Sequence, residues 1–407
     1  MVSVAQSISE VDAEEWDACA CGDGETNPFL LHAFLRALEV SGSACGEQGW
    51  LPQHLTVRDA SGALVGCAPV YLKSHSYGEY VFDSSWASFA ARMGVSYYPK
   101  LQCCVPFTPV TGSRLLVSAA ARGGGGPGYP AVASALAQGL RAVGDAYDVS
   151  SVHVTFDTAA ECDRLSGEGF LRRVGIQYHW YNEGYGSFDD FLMDLRQGKR
   201  KNIRQERKKV ARAGLRCRRL SGADLTPEVW DRFYGWYRGT VDRKWGTAYL
   251  TRGFFEELGR TMGDRVLLVV AEEDGTQGPE GRLVAGALNL VGSHALFGRN
   301  WGCDEGRDVP GLHFEVCYYQ ALEAAIERGL PRVEAGAQGE HKIQRGYLPR
   351  KTYSSHLLRE PSVRAAVGSF LDRERAEMEY AVRALTEHVS PFKEGKGAQE
   401  LGAFSLD

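Results

Sequence analysis

HLTVRDASGALVGCAPVYL (54–72) and RVLLVVAEEDGTQGPEGRLVAGALNLV (265–291) decide how this 407-residue chain is organised. Each reads as strand, turn, strand: aliphatic and β-branched residues run up to Ser-Gly in the first and to a glycine-rich stretch in the second. The second strands correspond, Leu64-Val65-Gly66-Cys67-Ala68 against Leu283-Val284-Ala285-Gly286-Ala287. Working outward, the correspondence continues. Helical spacing of apolar residues predicts helices over 129–143 and 312–328, followed by short strands at 151–156 and 332–335. Each half then closes on Gly-aromatic-Leu and an extended segment, GFLRRVGIQYHW (169–180) and GYLPRKTYSSHL (346–357). One order of elements met twice marks an internal duplication.

That order, an antiparallel hairpin followed by further strands and helices, calls for an α/β fold with a mixed sheet. It does not fit a doubly wound parallel one. Two units are expected, at 1–183 and 184–407. The first half is the longer, and its extra residues form an elaboration at 74–128. The second unit carries a basic helical segment at 188–219 and a C-terminal helix. Phe188, Phe191, Leu192 and Leu195 predict one helix over 188–212, and Pro227 opens another. Apolar positions from Val363 to Leu385 predict an amphipathic helix over 362–388, and the stretch from 391 is expected to fray.

Composition bounds the rest. The length suits two cores, and 44% hydrophobic with 24% charged residues is ordinary for a globular protein. A net charge of −5 gives no global affinity for nucleic acid. Ten cysteines include no Cys-x-x-Cys pair, which points to reduced thiols and away from a zinc ribbon. The N-terminus is acidic and lacks a basic stretch ahead of an apolar one, and no run of about 18 apolar residues occurs, so a cytoplasmic location without a membrane span is expected.

Four stretches carry candidate chemistry. Residues 73–117 concentrate Tyr77, Glu79, Asp83, Trp86, Tyr98, Lys100 and Thr108, aromatic and polar groups suited to holding an acceptor. Residues 296–329 place Arg299 and Asn300 on a strand and Gly311 ahead of a helix, a seat for a donor's phosphates. Residues 334–347, EAGAQGEHKIQRGY, set small residues beside Glu340 and His341. With His313 these are the candidate proton-transfer groups. From Arg196 to Arg219 stand twelve Lys or Arg and one acid, Glu206. Lys199, Arg200 and Arg204 are the candidate donor contacts there. A metal site is not expected, because no His-Glu-x-x-His occurs and His313 and Glu315 diverge on a helix. Nor is there a nucleophile elbow.

KSHSYGEYVFDSSWA (73–87), YYPKLQCCVPFTPVTG (97–112), FGRNWGC (297–303), LHFEVCYYQALEAAIERG (312–329) and EAGAQGEHKIQRGYLP (334–349) together resemble the FemAB-like (FemABX) branch of the acyl-CoA N-acyltransferase (GNAT) superfamily. More narrowly, they resemble predicted N-acyltransferases labelled peptidoglycan biosynthesis/recognition proteins. The resemblance implies tandem GNAT-like units and transfer of an acyl or aminoacyl group to an amine. The expectation is an N-acyltransferase that takes an acyl-CoA-type donor as co-substrate, holds no tightly bound cofactor and acts on a small-molecule or peptide amine. Aminoacyl-tRNA is the alternative donor, which would make tRNA a partner; DNA is not one. A non-catalytic ligand-binding module of the same fold is the rival from another class. Acyl-CoA-using relatives carry a Gln/Arg-x-x-Gly-x-Gly/Ala loop. This chain matches it only partly, at 111–114 and 307–311.

Overall fold

A computed structural model describes residues 1–397 except 124–125, 245, 274–280, 307–308 and 338. The chain forms two compact units, and neither is contiguous: Met1–Ile176 with Tyr249–Leu258 and Lys351–Tyr380, and Gln177–Ala248 with Gly259–Arg350 and Ala381 onward.

In the first unit the 54–72 hairpin appears as strands His54–Arg58 and Leu64–Ala68, paired antiparallel. Val2–Ala5 and Leu116–Val117 flank them in a four-stranded sheet. A second sheet runs Trp50–Pro52, Val70–Lys73, Lys100–Cys103, Ser151–Asp157 and the 353–358 portion of the strand Leu348–Leu358. Lys100–Cys103 and Ser151–Asp157 are parallel, the others antiparallel, so the sheet is mixed as expected. Helix Tyr129–Ala146 begins at a proline and buries Val132, Leu136, Leu140 and Val143 at helical spacing. They pack on Leu55, Val65, Leu101 and Val152, and each leucine so buried contributes roughly 1.5–3 kcal/mol. The helix lies close because Gly66 has no side chain: a Cβ there would come 2.4 Å from Val132.

The second unit's sheet orders Leu215–Leu220, Val266–Glu273, Arg282–Val291, Ala295–Cys303, Arg332–Glu334 and the 179–181 end of strand Leu171–Tyr181. Only Ala295–Cys303 and Arg332–Glu334 run parallel. Gly286 and Gly302 face each other across neighbouring strands, and helix Pro227–Lys244 is seated on them. Cβ atoms at these glycines would meet the Trp236 ring at 2.9 Å and the Trp236 carbonyl oxygen at 2.4 Å. The helix expected over 312–328 forms as Leu312–Phe314, a widened turn at Glu315–Tyr319, and Gln320–Glu327. The tail helix is Pro361–Val389.

Three expectations change. The helical segment expected at 188–219 ends at Arg212, and Leu215–Leu220 is a strand paired with Val266–Glu273, because its β-edge partner lies later in the chain. The single helix over 188–212 is split into Phe188–Asp194 and Gln197–Arg212. Leu195, fully buried and extended, bridges to Phe392, and the Arg196 N–H donates to the Pro391 carbonyl at 2.9 Å. The same contacts tie down the segment expected to fray, at least to Gly397, whose N–H reaches Glu183 at 3.4 Å. An apolar spacing that satisfied a helix also satisfied this arrangement. What broke the helix was a backbone partner almost two hundred positions away.

Candidate functional site

The stretch singled out at 334–347, of which Gln338 lies outside the described residues, turns tightly on either side of it in the second unit. Strand Arg332–Glu334 runs into Ala335, Gly336 and Ala337, with Gly336 in the left-handed region at φ 79°. Residues Glu340–Arg345 then form one compact helical turn, closed by Gly346 at φ 90°. A side chain at Gly346 would stand 2.8 Å from the Phe191 ring, so glycine is required both for the backbone and for space.

The turn aims Lys342 inward. Its side chain is buried and its Nζ donates to the Gly336 carbonyl at 3.1 Å. Burial, with the neighbouring Arg299 guanidinium adding to it, lowers the ammonium from the usual lysine range to about 7. An amine poised there is shared between charged and neutral forms near neutrality, as a general base must be. Sequence reasoning passed over Lys342. The available signal was a single lysine inside a stretch otherwise rich in Gly and Ala, bracketed by residues already chosen.

Around Lys342 the loop and the widened turn exchange hydrogen bonds. The Tyr318 hydroxyl and His341 Nε2 are 2.9 Å apart. His313 lies with its ring centroid 6.1 Å from that of His341, 5.3 Å from Tyr318 and 5.0 Å from Trp301. Arg345 donates to Glu206 at 2.7 Å, to the Tyr319 hydroxyl at 3.1 Å and to the His341 carbonyl at 2.8 Å, with its guanidinium 3.2 Å above the Phe314 ring. Tyr319 donates in turn to Glu206. An extra residue in a helical turn displaces the side chains after it, which is how Tyr318 and Tyr319 come to serve the loop. The Tyr347 hydroxyl is buried with no partner among the described residues.

The structure thus brings His313 and His341 together. Glu340 is exposed, with the Tyr178 hydroxyl feeling its charge. Arg299 turns back along its strand, Nη1 donating to the Gly298 carbonyl at 2.8 Å, and stands beside Lys342 electrostatically. Asn300 is half-buried next to it. Gly311 sits at φ 92°, pressed on helix Gln197–Arg212: a Cβ would fall 3.1 Å from the Glu206 carbonyl oxygen. The basic run is partly neutralised. Arg204 pairs with Asp189 at 2.9 Å, Arg207 with Glu315 and Glu323, Arg216 and Arg218 with Glu272, and Arg219 with Glu323 and Glu327. Lys199, Lys201, Lys208, Lys209 and Arg212 make no ion pair with a described residue, Arg196 donates to the Phe392 carbonyl at 3.0 Å, and Arg200 donates to the Met193 sulfur at 3.4 Å.

In the first unit the acceptor candidates converge on a buried ionic cluster. Lys100 Nζ lies 2.7 Å from Glu79, 2.5 Å from Asp83 and 2.8 Å from the Ser76 hydroxyl, which meets Tyr98 at 2.9 Å. Burial opposes charge on Lys100, yet Glu79 and Asp83 outweigh it and hold the ammonium above its usual range. Lys73 is buried with them, 3.4 Å over the Trp50 ring, and burial lowers it to about 7. Trp86 is buried under the Arg173 guanidinium at 5.0 Å. Thr108 is buried with its hydroxyl unpartnered among the described residues, whereas Tyr77 is 71% exposed. Beneath Trp86 lies a pair that sequence reasoning missed. His153 and His356 face each other across antiparallel strands with Nδ1 atoms 2.8 Å apart, and Ser151 stands 2.8 Å from the far nitrogen of His153. Burial keeps both imidazoles neutral, lowering His153 to about 3 and His356 well below its ordinary value.

Among the described residues no group of three or more His, Cys, Asp or Glu is arranged to hold a metal, and no helix is long and apolar enough to cross a membrane. All ten cysteines are free.

A family model described as peptidoglycan biosynthesis/recognition, FemAB-like, matches residues 7–394. No curated protein matches the chain in sequence. Among solved structures, FemX is similar over 88% of this chain and 98% of its own, at 12% identity and a TM-score of 0.55. The C-terminal domain of a putative lysylphosphatidylglycerol synthetase from Agrobacterium fabrum covers 89% and 97% at 9% identity and a TM-score of 0.52. L-PGS from Bacillus licheniformis covers 88% and 97% at 10% identity and a TM-score of 0.51. At such identities the likeness is one of fold. It agrees with the mixed α/β architecture that the order of elements called for.

Proposed function

Because the chain belongs to the FemAB-like family of peptidoglycan biosynthesis/recognition proteins, we propose that it is a transferase that moves an acyl or aminoacyl group onto an amine, with Lys342 as the proton acceptor. The observation that carries this reading is the buried Lys342, held to about 7 in a loop of small residues. An acceptor ammonium must lose a proton before its nitrogen can attack a carbonyl, and neutral Lys342 takes that proton. The N–C bond then forms and the oxygen gains charge, which the adjacent Arg299 stabilises. As the tetrahedral adduct collapses, the bond to the donor's sulfur or oxygen breaks. The second proton on the attacking nitrogen passes to the leaving group, for which the Tyr318 hydroxyl and His341 form a hydrogen-bonded route. His313 lines the same patch, and Glu340 stays on its exposed rim.

For the donor we favour an acyl-CoA-type thioester over aminoacyl-tRNA, because acids of the same unit have already taken up Arg204, Arg207, Arg216, Arg218 and Arg219. Of the cations left without an ion pair among the described residues, Lys199, Arg200 and Lys201 are the ones we assign to a few phosphates; Lys208, Lys209 and Arg212 lie further along the same helix. The test is turnover with purified protein, an acyl-CoA panel and amine acceptors, with Lys342→Met alongside. Loss of turnover by roughly 100-fold or more with an unchanged melting temperature supports the assignment. A fully active Lys342→Met protein removes it.

A further inference from the structure

The first unit contains a half-open cavity of about 490 Å³ in which Arg141, Arg359 and Arg364 meet above Val152 and Leu358, with Asp145 at the edge. We propose that this cavity binds a small amphiphilic anion, one phosphate group on an apolar body.

The charges are unequal in a specific way. Arg359 is committed: Nη2 donates to Asp145 at 2.7 Å, and Nη1 reaches the carbonyls of Gly144 and Val149 at 3.3 and 3.2 Å. It thereby covers the carbonyl-rich C-terminal end of helix Tyr129–Ala146, which would otherwise repel an anion. The other two arginines are under-used. Arg141 makes no hydrogen bond or ion pair with a described residue, and its guanidinium stands 5.4 Å from the Phe170 ring. Arg364 donates through Nη2 to the Gly169 carbonyl at 2.7 Å, while its Nη1 is buried with no partner among the described residues.

Both guanidiniums converge on Gly169. A Cβ on that residue, at φ 88°, would lie 3.3 Å from Arg141 Nη2, so glycine leaves the room for Arg141 beside the residue whose carbonyl Arg364 holds. Two neighbouring cations with spare N–H groups, and one carboxylate already paired, are the arrangement that recognises a phosphate by forked hydrogen bonds. The floor differs in character, since Val152 and Leu358 are buried aliphatics. The volume is that of a small-molecule site, about 300–1,000 Å³, far more than a bare phosphate needs.

Calorimetric titration with octyl phosphate below its micellar concentration tests this, with inorganic phosphate and octanol as the two halves of the probe. One-to-one binding with a Kd below about 1 mM is expected, each half binding at least about tenfold more weakly. Arg141→Gln, which breaks no internal hydrogen bond, should weaken octyl phosphate about tenfold or more at an unchanged melting temperature. Arg364→Lys, which withdraws the Nη1 arm and keeps the charge, should weaken it in the same direction. Absence of saturable binding, equal binding of inorganic phosphate, or affinity undiminished in Arg141→Gln overturns the proposal.

Discussion

Lys342 and the His153–His356 pair show one force, desolvation, acting to opposite ends. Burial favours the neutral form in each. Where the neutral form is a free amine against a carbonyl, the product is a base. If Lys342 is that base, turnover should rise about tenfold per pH unit below about 7 and level off above it, since lysine accepts a proton only when neutral. Lys342→Arg should lack that limb and retain little activity. A wild-type profile flat between pH 6 and 8 would exclude the assignment. In the histidine pair the neutral rings hydrogen-bond each other, and the effect falls on stability. Their folded pKa values lie below the unfolded value of roughly 6.5, so the unfolded chain binds more protons as the medium turns acid. The stabilisation is therefore complete above pH 6.5 and is lost as pH falls towards about 3. His153 faces Asp83 and Lys100, and Arg173 lies near both rings. Denaturant titrations of His356→Gln between pH 6.5 and 4 should show a shallower loss, by up to about 1.4 kcal/mol per pH unit. An unaltered slope would mean that the acid sensitivity resides elsewhere.

At the scale of elements, the hairpins and the helices at 129–146 and 312–327 were legible because each is written in local signals: turn glycines, alternating apolar residues, helical spacing. The widened turn at Glu315–Tyr319 was not, for nothing in EVCYY distinguishes it from ordinary helix. Nor was the break at Leu195, since its cause lies at Phe392. Lys342 went unnoticed for a related reason: a lysine's burial depends on the loop that folds over it. Glycines in strands can be read more than one way until the overlying helix is known. Gly302 proves to be where helix Pro227–Lys244 rests its backbone on the sheet. Gly302→Ala should therefore destabilise the second unit by about 1–3 kcal/mol, seen as a lowered melting temperature, because the clash is with a carbonyl that cannot rotate away. A variant as stable as the parent would show that the helix can lift at no cost.

Across the whole molecule, the net charge of −5 and the local basic run looked contradictory in sequence. Pairing reconciles them in part: the acids that neutralise Arg207, Arg216, Arg218 and Arg219 are Glu272, Glu315, Glu323 and Glu327, distant along the chain but adjacent in the second unit. That bears on the donor. Each phosphate neutralised contributes about −0.9 to the slope of log affinity against log salt, or −0.7 on a single strand. A CoA-type donor meeting Lys199, Arg200 and Lys201 should give a slope of about −3 or shallower, reduced further in Lys199→Gln with Lys201→Gln. A slope near −4 or beyond with aminoacyl-tRNA, abolished in the same variant, would reverse the choice of donor.

The discontinuity of both units sets a limit in time as well as in space. The first unit needs residues 351–380 and the second needs Phe392, so each closes only after a distant later segment has been made. The strand Ser151–Asp157 waits some two hundred residues for its neighbour at 353–358, while its hydrogen-bonding edge and the apolar side chains of its sheet stay open. At roughly 5–20 residues per second that is an exposure of about 10 to 40 seconds on the ribosome. Native closure of either duplicated unit thus waits on its later segment, and until then one edge of its sheet stays unpaired.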